Sequence, residues 1–209
     1  MHHIIKYFPD LAKEQLDLFG NLGEIYKYWN AKINVISRKD INSLYLHHIL
    51  YSLAISRIIH FKPGTSVIDV GTGGGFPGIP LSILFPGTEF YLIDSVGKKI
   101  KVVKEIIKTL GLNNCKGEQI RAENITGRYD FIISRAVTSL PAFVNMISDK
   151  VSENSFNSHK NGVFYLKGGN ILKELNSVHY AFKIFNISDY FNEPYFETKK
   201  IVYINLTAI

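Results

Sequence analysis

One cysteine, Cys115, is all the thiol that the 209 residues contain. That excludes an internal disulfide framework and any multi-thiolate metal site, and it points to a reducing compartment, the cytoplasm. No apolar run approaches the roughly 20 residues that a membrane span needs. The opening, MHHIIKYFPD, has no signal-peptide pattern. No internal repeat or low-complexity segment is evident, and neither a metal-ligand cluster nor a Ser/His/Asp grouping stands out. The His2-His3 pair is too short for a metal tract. Charge of one sign is not concentrated either: the formal net charge is +6, and the excess is spread along the chain instead of sitting in a basic tail. Such a balance permits a polyanionic partner without requiring one.

What is present is a core. Apolar residues make up 46% of the chain and charged residues 20%, a composition for an ordered α/β domain of ordinary size and not for a disordered chain. Residues 9–30 place Leu11, Leu18, Leu22, Ile25, Tyr26 and Trp29 at helical spacing. Residues 40–60 repeat the pattern behind Asp40. These spacings predict a helical extension over residues 1–60, with a loop at 31–39 between its helices. Character changes at the turn Lys62-Pro63-Gly64. From there to 209, β-like runs at 66–70, 90–94, 115–120, 129–134 and 162–167 alternate with helical stretches at 79–85, 97–110, 140–150 and 169–177. Alternation of this kind predicts a mostly parallel sheet with helices on both faces, the Rossmann-like architecture. Two late runs, 180–187 and 199–206, have almost nothing helical between them. They predict a hairpin that closes one sheet edge with an antiparallel strand, an ending typical of the class I methyltransferase version of this fold. The polar stretch 152–161 reads as an exposed loop.

The strongest local signal is Asp69-Val70-Gly71-Thr72-Gly73-Gly74-Gly75-Phe76-Pro77-Gly78-Ile79-Pro80, a strand end, an acid, a run of glycines and a helix start. Turns of this kind lie at the carboxyl edge of a parallel sheet, where ligands bind. A P-loop fails, because Ile79 stands where its lysine must be. A dinucleotide fingerprint counted from Gly71 fails at Phe76, and succeeds only in the offset frame Gly73, Gly75, Gly78. The pattern D-x-G-x-G-x-G is met by Asp69, Gly71, Gly73 and Gly75, the form that wraps S-adenosylmethionine. About twenty residues on, the second strand ends in Asp94, placed to accept both hydroxyls of a ribose. The third strand leads to Arg121-Ala122-Glu123-Asn124, where a side chain and a backbone N–H can meet an adenine edge. Lys98, Lys101, Lys104 and Lys108 project from the helix at 97–110, either as a solvated face or as a phosphate-tracking one.

Taken together, these blocks resemble the bacterial 16S ribosomal RNA guanine-N7 methyltransferases, the GidB or glucose-inhibited division protein B family. The most specific piece is the Pro77-Gly78-Ile79-Pro80 continuation of the glycine turn. Leu92-Ile93-Asp94-Ser95, Ile133-Ser134-Arg135-Ala136, Tyr165-Leu166-Lys167-Gly168-Gly169 and the upstream Asn34-Val35-Ile36-Ser37-Arg38 and His47-His48-Ile49-Leu50 are similar to further family blocks. Two positions depart from the pattern: His47 stands where the family commonly has Arg, and Tyr51 where it commonly has Asp. The resemblance implies S-adenosylmethionine as cofactor, with contacts at Gly71, Gly73, Phe76, Asp94, Ala122, Glu123 and Arg135. It implies a monomeric cytoplasmic enzyme acting on 16S rRNA or the small subunit, with no metal. On the substrate side the expected residues are His48, Arg135 and Lys167, with Phe76 and Tyr195 as aromatic candidates to stack the base. Methylation of N7 needs no general base, so no catalytic side chain is assigned. A same-fold enzyme for a small molecule, an NAD-dependent oxidoreductase and a non-catalytic RNA-binding assembly factor remain as alternatives.

Overall fold

The computed structural model describes residues 1–135 and 137–207; Ala136, the end of the fourth-strand block, lies outside them, as do Ala208 and Ile209. Seven strands form one sheet: β1 (Ser66–Val70), β2 (Glu89–Asp94), β3 (Cys115–Gln119), β4 (Phe131–Arg135), β5 (Gly162–Gly168), β6 (Phe182–Asn186) and β7 (Lys199–Asn205). Their order is β3-β2-β1-β4-β5-β7-β6. The first five run parallel to one another, and β7 runs antiparallel to both β5 and β6. The expected hairpin is therefore present, but the antiparallel strand stands one place in from the edge, with β6 outside it. Composition explains the order. In β7, Ile201, Val202, Tyr203 and Ile204 are buried, whereas β6 has only exposed and half-buried residues and carries Lys183, a strand suited to an edge.

Side chains of the central strands alternate between two cores, as a period of two requires. Val67, Phe131, Ile133, Phe164 and Leu166 face one core; Ile68, Ile132, Val163 and Tyr165 face the other. On the first face lie α4 (Gly78–Leu84) and α5 (Gly97–Leu110). The amino-terminal helices α1 (His2–Tyr7) and α2 (Lys13–Lys32) join the same core through Ile4, Phe19, Leu22 and Tyr26. The second face is covered by α6 (Leu140–Ile147) and the single turn α7 (Leu172–Leu175). The expected long helix at 40–60 is a relay of short turns: 3-10 at Ile41–Ser43, π at Tyr45–Leu50, α3 (Tyr51–Leu53) and 3-10 again at Ala54–Arg57. Gln15 fastens α2 to α4, its side-chain amide donating to the carbonyls of Ile83 at 2.9 Å and Leu84 at 3.1 Å.

Strand order turns back between β1 and β4, with β2 and β3 on one side and β5 on the other. Connections leave in opposite directions there, so a crevice opens beyond the carboxyl ends of the two strands. That crevice is where the glycine turn lies.

Candidate functional site

Beyond Val70 the chain is strapped to the neighbouring strand: the N–H groups of Gly71 and Thr72 both donate to the Ile93 carbonyl at 2.9 Å. Gly73 follows with φ +61, and a Cβ built there meets nothing within 4 Å among the described residues. The backbone at Gly73 thus presents open space, a cradle that a ligand can fill. Asp69 holds the turn from below. Its Oδ2 accepts from the Thr72 hydroxyl at 2.6 Å and from the Gly78 N–H at 2.8 Å. Any Cβ on Gly78 would come within 2.7 Å of Leu92 and 2.9 Å of that same Oδ2, so only glycine lets α4 start against the strand end. Asp69 is wholly buried and its Oδ1 has no partner among the described residues; burial pushes its carboxyl up to about 7.

The turn forms one wall of a cleft of about 550 Å³. Gly71, Gly73, Phe76, Asp94, Ala122, Glu123 and Arg135, the residues expected around the cofactor, all line it. Asp94 is nearly buried. Its Oδ1 accepts the Val96 N–H at 2.8 Å and its Oδ2 the Gly73 N–H at 3.0 Å. Each carboxylate oxygen has a second lone pair, so both can still accept a hydroxyl from a ribose. Ala122 and Glu123 open a 3-10 turn at Ala122–Asn124, which carries a backbone N–H and an acid to the third side of the cleft.

Arg135, at the end of β4, supplies positive charge. It makes no ion pair with a carboxylate among the described residues. Its Nη1 lies 3.1 Å from His48 Nδ1, and its Cζ lies 5.4 Å from the centre of the Phe76 ring. Burial lowers its affinity for its proton. A largely buried guanidinium without a counter-ion is costly, and an anionic ligand group in the cleft would offset that cost. Donor set and shape thus fit S-adenosylmethionine: an acid for the ribose, an open glycine turn and a cation for the carboxylate.

The residues expected on the substrate side occupy three different places. Arg135 is in the cleft; His48 is buried behind it, 5.0 Å from the Phe76 ring. Burial, then the charge of Arg135, bring the His48 pKa down to about 3, so the imidazole is neutral. Lys167 is not in the cleft wall: its Nζ is bound by both carboxylate oxygens of Glu174, at 2.5 and 2.7 Å. Phe76 is only 1% exposed, its ring enclosed by Tyr26, His48 and Arg135, so it is packed and not offered to a base. Tyr195 stacks on His47, centroids 3.9 Å apart and planes 13° apart, and His47 Nδ1 meets Asp40 Oδ1 at 2.9 Å.

Two contributors were not singled out by sequence reasoning. Tyr26 of α2 donates its hydroxyl to the Gly74 carbonyl at 2.7 Å, and Val35 closes the cleft over the glycine turn. The side-chain oxygen of Asn30 fixes that loop by accepting the N–H groups of Val35 and Ile36, each at 2.9 Å. The Asn34-Val35-Ile36 block was the available signal for Val35. Tyr26 looked like one more apolar position on a helix.

A family model described as rRNA small subunit methyltransferase G matches residues 15–198. A protein of Flavobacterium psychrophilum named ribosomal RNA small subunit methyltransferase G is 56% identical over 99% of this chain and 98% of its own length. Its namesake in Cytophaga hutchinsonii is 49% identical over 98% and 99%. Among solved structures, a SAM-dependent methyltransferase from Aquifex aeolicus superposes with TM-score 0.58 at 17% identity, covering 81% of this chain and 98% of that one. This last likeness concerns the fold.

Proposed function

The chain belongs to the rRNA small subunit methyltransferase G family, and from that premise we propose that it methylates N7 of a guanine in 16S ribosomal RNA with S-adenosylmethionine. The observation that carries the reading is Asp94, which holds the Gly73 N–H at 3.0 Å and keeps free lone pairs on both oxygens for a ribose. Glu123 and the Ala122 backbone serve the adenine edge in this reading, and Arg135 the methionine carboxylate. The proposed enzyme works as a monomer in the cytoplasm on 16S rRNA or the small subunit.

When bound, S-adenosylmethionine supplies an electrophilic methyl group on a sulfonium. Guanine N7 has a lone pair and no proton, so it would accept that methyl group without a general base. The chain's residues therefore orient and shield. Asp94 fixes the ribose end, Gly71 and Gly73 admit the ligand to the backbone, and Val35 and Phe76 exclude water over the turn. N7 lies on the Hoogsteen edge, in the groove that A-form RNA makes too narrow to enter, which favours an exposed or splayed guanine. Lys167 would have to exchange Glu174 for a phosphate to take part.

The test is transfer of a radiolabelled methyl group to small subunits from cells lacking their own enzyme, with the label mapped on the RNA. One labelled guanine, cleavable by the chain scission that N7-methylguanine permits, is the expected result. Label in a small acceptor but none in 16S rRNA, or RNA binding with no methylated product, would overturn the proposal.

A further inference from the structure

We infer that His48 is the positioning residue for Arg135: its neutral imidazole, in the Nε2–H tautomer, accepts from the guanidinium and sets it at the mouth of the cleft. The inference rests on the reading of that cleft as the S-adenosylmethionine site. It assigns to a residue of the helical extension a part in holding the cofactor that it never touches.

The tautomer follows from donor and acceptor arithmetic. An arginine side chain has only N–H donors, so at 3.1 Å the facing Nδ1 must be bare, and the imidazole proton sits on Nε2. That Nε2 is itself buried and has no partner among the described residues. His48 as a whole is 9% exposed. The ring thus places its one bare nitrogen, in a buried setting where an acceptor needs a donor, against the cleft arginine. Burial and the adjacent guanidinium keep the ring unprotonated.

Local backbone aims the ring. His48 lies in the π-helical turn Tyr45–Leu50, the form in which a helix carries an extra residue and turns its side chains away from the regular spacing. The Ser52 hydroxyl donates to the His48 carbonyl at 2.6 Å, giving the widened turn a further anchor. One residue earlier, His47 stacks on Tyr195, so adjacent histidines serve different surroundings. Arg135 is consequently held between the Phe76 ring and the His48 nitrogen, from two elements that meet only through tertiary packing.

A double-mutant cycle on binding of S-adenosylhomocysteine, read by calorimetry, tests this. Loss of a hydrogen bond to a charged group corresponds to roughly tenfold or more in affinity, so His48→Phe is expected to weaken binding by about that factor. His48→Asn, whose side-chain oxygen can stand near the Nδ1 position, is expected to stay within about threefold. In an Arg135→Met background His48→Phe should have no further effect. Nitrogen-15 NMR of the imidazole, which needs no His48 variant, should show Nε2 protonated and Nδ1 bare, with that preference lost in Arg135→Met. Additive losses across the cycle, or a proton on Nδ1, would overturn the inference while leaving the functional reading intact. No binding by the folded wild-type protein would overturn both.

Discussion

Tyr26 and Phe76 are stacked, their ring centroids 4.9 Å apart and their planes 25° apart, and the Tyr26 hydroxyl donates to the Gly74 carbonyl at 2.7 Å. A helix of the amino-terminal extension thereby completes the hydrogen bonding of the glycine turn from the side opposite the cleft. Tyr26→Phe keeps the stack and strands a buried carbonyl, which is expected to cost about 1–2 kcal/mol of stability. Tyr26→Ala also leaves a cavity and is expected to cost about 3–5 kcal/mol. Urea unfolding of both variants checks the order.

The strands and the turn were legible because burial writes them plainly. A strand covered on both faces, such as Ser66–Val70 or Phe131–Arg135, is a short apolar run bounded by polar turns. Helix Gly97–Leu110 was equally clear, with its buried face and lysines opposite. What stayed hidden depends on contacts distant in sequence. Helix His2–Tyr7 is too short for a period to show, and it is held by Lys6 and Tyr7 against Glu193, each at 2.8 Å. The stretch expected as a helix at 169–177 shrinks to Leu172–Leu175, because Gly169 has φ +79 and the chain turns before it coils. The π turn was invisible for a related reason: apolar spacing at 40–60 fits an ordinary helix, and only the fold shows the wider turn that sets His47 against Tyr195 and His48 against Arg135. Within the site, chemistry-bearing residues announced themselves by motif, whereas Tyr26 and the Lys167–Glu174 pairing required the fold.

Asp69 gives a pH dependence with a definite sign. Its carboxyl is raised from 3.8 to about 7 in the folded protein by burial. Between those values the folded state keeps a proton that the unfolded chain has released. Its contribution is thus fully present below about pH 4 and is lost as pH rises through 7. Asp69→Asn removes this titration, so the stability of the variant relative to wild type should improve from pH 5 to pH 8. Thermal melts of the two proteins in parallel buffers measure the difference. His48 acts in the opposite sense: with its pKa at about 3, stability is lost as pH falls below the ordinary histidine value of 6.5.

Two glycines separate binding from folding. Gly73→Ala puts a methyl group into open space at φ +61, a strain of about 1–2 kcal/mol, and it narrows the cradle. The expected outcome is a modest loss of stability with affinity for S-adenosylhomocysteine down by tenfold or more, roughly one lost contact to a charged or polar ligand group. Gly78→Ala instead drives a Cβ to 2.7 Å from Leu92, overpacking expected to cost about 1–3 kcal/mol of stability. Paired calorimetry and melting curves on the two variants distinguish the effects.

Lys167 discriminates between a structural and an RNA role. Glu174 accepts from Lys167 and also from the Leu140 N–H at 2.7 Å, so the pair ties the end of β5 to the start of α6. Lys167→Met is expected to lower stability by about 1 kcal/mol and to leave RNA affinity unchanged. A uniform loss of RNA affinity, with the salt dependence shallower by about one counterion, would instead mark a phosphate contact.

Calorimetric titration of the wild-type protein and of Asp94→Ala with S-adenosylhomocysteine addresses the cleft itself. Saturable one-to-one binding by the wild type, weakened by about a hundredfold or more in Asp94→Ala as two charge-assisted hydrogen bonds to the ribose are lost, is the predicted result. Absence of heat with the folded wild-type protein, or equal affinity in the two proteins, would contradict the account.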